Sequence, residues 1–124
     1  MTPRGTAPAP ERLKRRAEFL RVAAKGRKAP APGVVVQALA RDGGGPARLG
    51  FTVTKKVGGA VVRNRARRRL KEAARLLLRG QDVRGFDLVL IGRDATATRP
   101  FAALMDDVAQ ALARAGVKLP RGAP

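Results

Sequence analysis

Residues 48–72 read RLGFTVTKKVGGAVVRNRARRRLKE, and the stretch divides into three pieces of different chemistry. Leu49, Phe51 and Val53 alternate with Arg48, Gly50, Thr52 and Thr54, the period-two pattern of a half-buried strand. Lys55, Lys56 and the Gly58–Gly59 pair follow as a turn. From Ala60 to Arg79 the pattern becomes helical, and Gly80 closes it. At about 100° per residue, Val62, Ala66, Leu70, Ala73 and Leu77 fall on one narrow stripe, which the pattern assigns to the core. Opposite it run Asn64, Arg68, Lys71 and Arg75, with Arg65 and Arg69 on one flank and Arg63 and Arg67 on the other.

A solvated helix face normally mixes signs, because like charges four residues apart cost a few tenths of a kcal/mol each, ~0.2–0.5. Here only Glu72 offers a partner within the helix. Helix stability does not account for five arginines between Arg63 and Arg69. Arginine also forks onto phosphate oxygens as lysine does not. Lys55, Lys56 and the helix start bring cations and free backbone N–H groups to one place. An interfacial membrane helix would set bulky apolar or aromatic residues opposite the charge. This one sets Val, Ala and Leu there, which it needs to cover a sheet. Nucleic acid is the better partner, and charge alone leaves RNA and DNA both open.

Outward from this segment the chain is ordinary. Glu11–Ala24 reads as a helix with Leu13, Ala17, Leu20 and Ala24 on its apolar stripe, Phe19 beside it and Gly26 as its stop. Pro30–Gly33 reads as a break, and Val34–Ala40 as a strand. Phe86–Ile91 is a further strand. Pro100 opens a last helix carrying Phe101, Leu104, Met105, Val108 and Leu112 on one face and ending at Gly116. The order α-β-β-α-β-α, with room for one more strand between Gly33 and Ala47, predicts an α+β fold with helices packed on one face of a small sheet. Residues 11–116 form the expected domain, and 1–10 and 117–124 the expected disordered tails.

Composition narrows the function. The 124 residues carry a net charge of +18. Residues 1–80 hold 21 Lys/Arg against four acids, and residues 81–124 hold six against five, so the partner surface belongs to the first two thirds. With no Cys and no His, a disulfide framework, a thiolate metal site and the commonest general base are all excluded. Absence of Cys and of an export signal agrees with a cytoplasmic location, and no run is apolar enough to span a membrane. A binding protein fits better than a self-sufficient enzyme. Oligomeric state is not written in the sequence.

The 48–72 stretch resembles the signature region of the bacterial ribonuclease P protein subunit, with its strand, Lys-Lys pair, Gly turn and Arg-Asn-Arg helix. RLKRRAEFLRVAAKGRK (12–28) and FDLVLIGR (86–93) are similar to that family's first helix and late strand. The resemblance implies a two-layer α-β sandwich, with the arginine-rich helix inside a left-handed βαβ crossover. It implies an accessory subunit of an endoribonuclease that removes the 5′ leader of precursor tRNA. Ribonuclease P RNA, using Mg²⁺, would do the hydrolysis, and the protein would bind no metal and supply no catalytic residue. Arg63, Asn64, Arg65, Arg67, Arg68 and Lys71 would then face that RNA. Phe19 matches a leader-binding aromatic, its other reading being a core Phe. Thr52, Thr54, Lys55 and Lys56 match the strand end and its polar face, and would bind RNA at the 5′ leader or adjacent to it. Two aromatic positions of the family pattern are Ala23 and Gln37 here, and a polar turn position is Gly59. Leader binding should therefore lean on charge, through Arg12, Arg15, Arg16 and Lys25.

Two other readings compete. A structural or ribosomal-type RNA-binding protein would share the charge without a processing role. A stand-alone nuclease would have to use Asp106 and Asp107, which as helix neighbours point about 100° apart and read instead as a solvated face.

Overall fold

The computed structural model describes residues 10–117. In chain order they form β1 (Glu11–Arg12), α1 (Arg16–Lys25), β2 (Arg27–Ala31), β3 (Val34–Ala40), β4 (Arg48–Thr52), α2 (Ala60–Leu78), β5 (Phe86–Gly92) and α3 (Phe101–Arg114). The expected tails lie outside the described residues except at their inner ends, Pro10 and Val117. Val117 is buried and its N–H donates to the Leu112 carbonyl, so the packed unit includes it.

Five strands make one mixed sheet in the order β1-β4-β5-β3-β2. β5 is its centre, antiparallel to β3 and parallel to β4. α2 is thus the crossover between two parallel neighbours, and its arginines are carried by the element that joins them. β2 pairs with β3 alone, antiparallel. Pro30 and Ala31, expected to lie in a chain break, are the last two residues of this strand. An edge strand tolerates a residue that lacks an N–H, and that is where this proline sits.

β5 decides the layering. Leu88 and Leu90 pack with Val34, Val36 and Ala38 under α2 and α3, whose Leu70, Leu104, Val108 and Leu112 complete the main core. Val89 and Ile91 point the other way, into a second cluster with Leu13, Phe19, Val22 and Leu39. A central strand that is apolar on both faces needs cover on both. α1 therefore lies on the face opposite α2 and α3, where a single helical face was expected.

The first helix also starts later than its pattern predicts. Glu11 and Arg12 pair in parallel with Arg48 and Leu49, so the helix begins at Arg16. The face turned to the sheet also differs from the anticipated stripe. Leu20 is exposed, and Val22 and half-buried Phe19 face inward instead. On α2 the stripe is displaced less. Ala66, Leu70 and Ala73 are buried as expected, joined by Ala74 and Leu78, while Leu77 is half-buried. Val62 is exposed because the first turn of α2 projects beyond the sheet, and its side chain covers Gly58 instead.

Two buried carboxylates tie elements together. Asp87 on β5 accepts from Arg41 Nη1 at 2.5 Å and from Arg48 Nε and Nη2 at 2.8 and 2.7 Å. Asp107 on α3 accepts from the Gly33 N–H at 3.0 Å and pairs with Arg99. Asp106 is exposed, but Asp107 is not the solvated group its position suggested. Its charge holds the β2–β3 turn to the last helix.

Candidate nucleic-acid interface

α2 rises from a cationic turn. Lys55 and Lys56 lie exposed in a short 3-10 turn, Thr54 is exposed beside them and Thr52 is half-buried at the end of β4. Gly58 turns the chain with φ +155°, and its carbonyl accepts from Arg63 Nε at 3.2 Å. Gly59 precedes the helix without a capping side chain, so the first amides of α2 are left to other partners.

The arginines beyond it divide by what they touch. Arg68 is exposed, and Asn64 beside it accepts from Arg67 Nη1 at 3.1 Å. Arg65 Nε and Arg69 Nη1 both donate to the Ala97 carbonyl at 2.8 Å, and Arg69 also reaches the Arg99 carbonyl. Arg69 lies 5.8 Å from the Phe101 ring centre, and desolvation, with Arg65 nearby, holds its pKa below the ordinary value. Among the described residues none of Arg63, Arg65, Arg67, Arg68 and Arg69 is paired with a carboxylate. Glu72, the one candidate, is taken by Arg75 at 2.6 Å. The belt of positive charge is thus uncompensated, the condition under which it attracts a polyanion.

A cleft of about 370 Å³ opens beside the belt, lined by Arg12, Leu13, Lys14, Phe19, Leu49, Gly50, Phe51, Arg67 and Lys71. It exists because β1 is only two residues long and leaves the outer edge of β4 uncovered beyond it. Its apolar surface comes from Phe19, Leu49 and Phe51, and its cations from the chain around β1 and from α2. Phe19 packs against Gly50 so closely that a β-carbon there would collide with its ring. Burial, with Arg12 and Arg67 close by, lowers the pKa of Lys71. Such a site offers an aromatic surface to a base and unpaired cations to the phosphates on either side.

The sequence pattern puts Lys71 on the outer face of α2 and Arg67 on its flank, and Phe19 and Arg12 in a separate group. In the fold these four meet in one cleft. Lys14 joins them unanticipated; its signal was the cation run 12–16, of which Arg15 and Arg16 are exposed at the start of α1. Lys25 stands at the far end of that helix and does not line the cleft. Leu49 and Phe51 alternate as one side of a half-buried strand, and nothing in that alternation shows that the neighbouring strand stops early and leaves them at a cleft.

The Ribonuclease P family model matches residues 7–116. The ribonuclease P protein component of Gluconacetobacter diazotrophicus is 64% identical over 107 residues, covering 86% of this chain and 92% of that protein. That of Paramagnetospirillum magneticum is 49% identical over 110 residues, covering 86% and 83%. Among solved structures, the RNase P protein of Staphylococcus aureus superposes with a TM-score of 0.73 at 26% identity, covering 86% of this chain and 95% of that one. The RNase P protein from Thermotoga maritima gives 0.71 at 29%, covering 84% and 96%. The ribosomal-type and stand-alone nuclease readings give way to these matches. The chain belongs to the ribonuclease P protein family, the protein components of an endoribonuclease whose catalytic part is RNA.

Proposed function

We propose that α2 stands between two RNAs within ribonuclease P, seating the protein on the catalytic RNA with one side and holding the 5′ leader of precursor tRNA with the other. The observation that carries this reading is the convergence of Phe19, Arg12, Arg67 and Lys71 on one cleft, while Asn64 and Arg68 of the same helix stay exposed outside it. Arg63, Asn64, Arg65 and Arg68, with Lys55 and Lys56 at the turn and Thr52 and Thr54 at the strand end, make the surface for ribonuclease P RNA. Arg12, Lys14, Arg67 and Lys71 neutralise leader phosphates, and Phe19 stacks on a leader base. Arg15, Arg16 and Lys25 add positive potential along α1. The chemistry stays with the RNA and its Mg²⁺, since this chain's best-placed acid pair is divided, with Asp107 held by Arg99 and the Gly33 amide. Both partners being RNA in the tRNA pathway, we place the protein in the cytoplasm; among the described residues no helix is long and apolar enough to cross a membrane.

The test is the salt dependence of substrate binding by the reconstituted holoenzyme, with and without a leader. Each phosphate contact on a single strand adds about −0.7 to the slope of log affinity against log salt. Leader-containing substrate should show the steeper slope, and Lys71→Ala should reduce the difference by about 0.7. Equal slopes for precursor and mature tRNA would overturn the leader assignment.

A further inference from the structure

The half-buried ring of Phe19 reaches the cleft from α1, a ten-residue helix with one fully buried side chain, Val22. Val22 and Phe19 pack against Val89, Leu39 and Ile91 of the sheet. A relay of charges adds a second attachment at the start of the helix. Asp87, buried in the central strand, is gripped by two nitrogens of Arg48. The third nitrogen of that guanidinium, Nη1, donates to Glu18 Oε2 at 2.7 Å. The other oxygen of Glu18, Oε1, accepts from the backbone N–H groups of Lys14 and Arg15, each at 3.0 Å. All three guanidinium donor nitrogens and both oxygens of Glu18 are in use. The chain of bonds runs from the middle of the sheet, across β4, to the chain entering α1. Leu13 and Lys14 of that entering segment line the cleft, and Phe19 directly follows Glu18.

We propose that Arg48 and Glu18 are positioning residues for leader binding: they transmit the fixed orientation of Asp87 to α1 and so hold the Phe19 ring over Gly50. Neither lines the cleft. The proposal rests on the leader reading above. It also requires arginine at position 48, because a lysine keeps the charge but has one nitrogen and cannot serve Asp87 and Glu18 in fixed directions.

The test uses holoenzyme reconstituted with ribonuclease P RNA and two substrates, one with a long leader and one with a single leader nucleotide. Glu18→Ala and Arg48→Lys should each raise KM for the long-leader substrate about 5- to 10-fold, the scale of a lost base–aromatic stack, with kcat unchanged. Both should leave KM for the short-leader substrate as it is. Glu18→Gln, which keeps an acceptor for the two amides, should recover part of the loss. Gly50→Ala reaches the ring by another route, displacing it sterically, and should reproduce the same selective loss. Phe19→Ala separates the two claims. If it weakens long-leader binding while Glu18→Ala and Arg48→Lys do not, the relay is wrong and the leader site stands. If Phe19→Ala has no effect, the leader site itself is wrong. Equal losses on both substrates would reduce Arg48 and Glu18 to general structural supports and overturn the proposal.

Discussion

Arg65 and Arg68 lie three residues apart on α2 and are chemically identical, yet the fold uses them differently. Arg68 touches nothing that a substitution would orphan, whereas Arg65 ties α2 to the Ala97 carbonyl. Arg68→Ala should weaken binding to ribonuclease P RNA about 10-fold, one charge-assisted contact, and leave thermal unfolding where it is. Arg65→Ala should weaken binding and also remove about 1 kcal/mol of stability, the usual worth of one hydrogen bond. Thermal melts run beside an RNA titration distinguish the two. At this scale the sequence was half legible. The run from Arg63 to Arg69 announces an anion partner by its own chemistry, because no spacing of those residues provides counterions. What Arg65 and Arg69 touch depends on the loop before α3, some thirty residues away, and no local pattern encodes that.

Elements were easier to read where one face alone is apolar. α2 and α3 keep their stripes over several turns, and both helices stand where the periodicity placed them. Leu70, fully buried between α2 and the sheet, should cost about 2–5 kcal/mol on truncation to Ala. Urea denaturation at fixed RNA-free conditions measures it, and a loss under 1 kcal/mol would mean that the stripe is misplaced. α1 was misread because its start is set by pairing rather than by periodicity. Two residues of parallel strand at Glu11 and Arg12 delay the helix, which faces the sheet with Val22 and Phe19 and leaves Leu20 outside. The same short pairing leaves the edge of β4 open. The late start of the first helix and the cleft were therefore hidden for one reason, a long-range strand pair too short to leave a pattern in the sequence.

For the molecule as a whole, the α2 arginines from Arg63 to Arg69 are left without carboxylate partners among the described residues, while the buried or half-buried acids Glu18, Asp87 and Asp107 work as internal ties. Burial would raise the pKa of Asp87, but Arg48 and Arg41 outweigh it and hold the carboxyl below its ordinary value. A carboxyl depressed in the folded state contributes stability in full above its unfolded value of about 3.9, and loses it as pH falls through the lower folded value. Unfolding free energy should therefore drop as pH falls below about 4. Asp87→Asn should be less stable at neutral pH and show a shallower acid limb, as followed by urea melts across pH. A variant with the wild-type acid limb would show that other carboxyls govern it.

β2 has a further consequence for the life of the free subunit. It is an edge strand with no strand on its outer side among the described residues, but it is short, begins with Arg27 and Lys28, and contains Pro30, which has no amide hydrogen to offer a neighbour and whose carbonyl already accepts from Arg114. Copies made faster than their transcript would repel one another along this border. A surplus would stay dispersed and await a nucleic acid, and would not knit itself into aggregates.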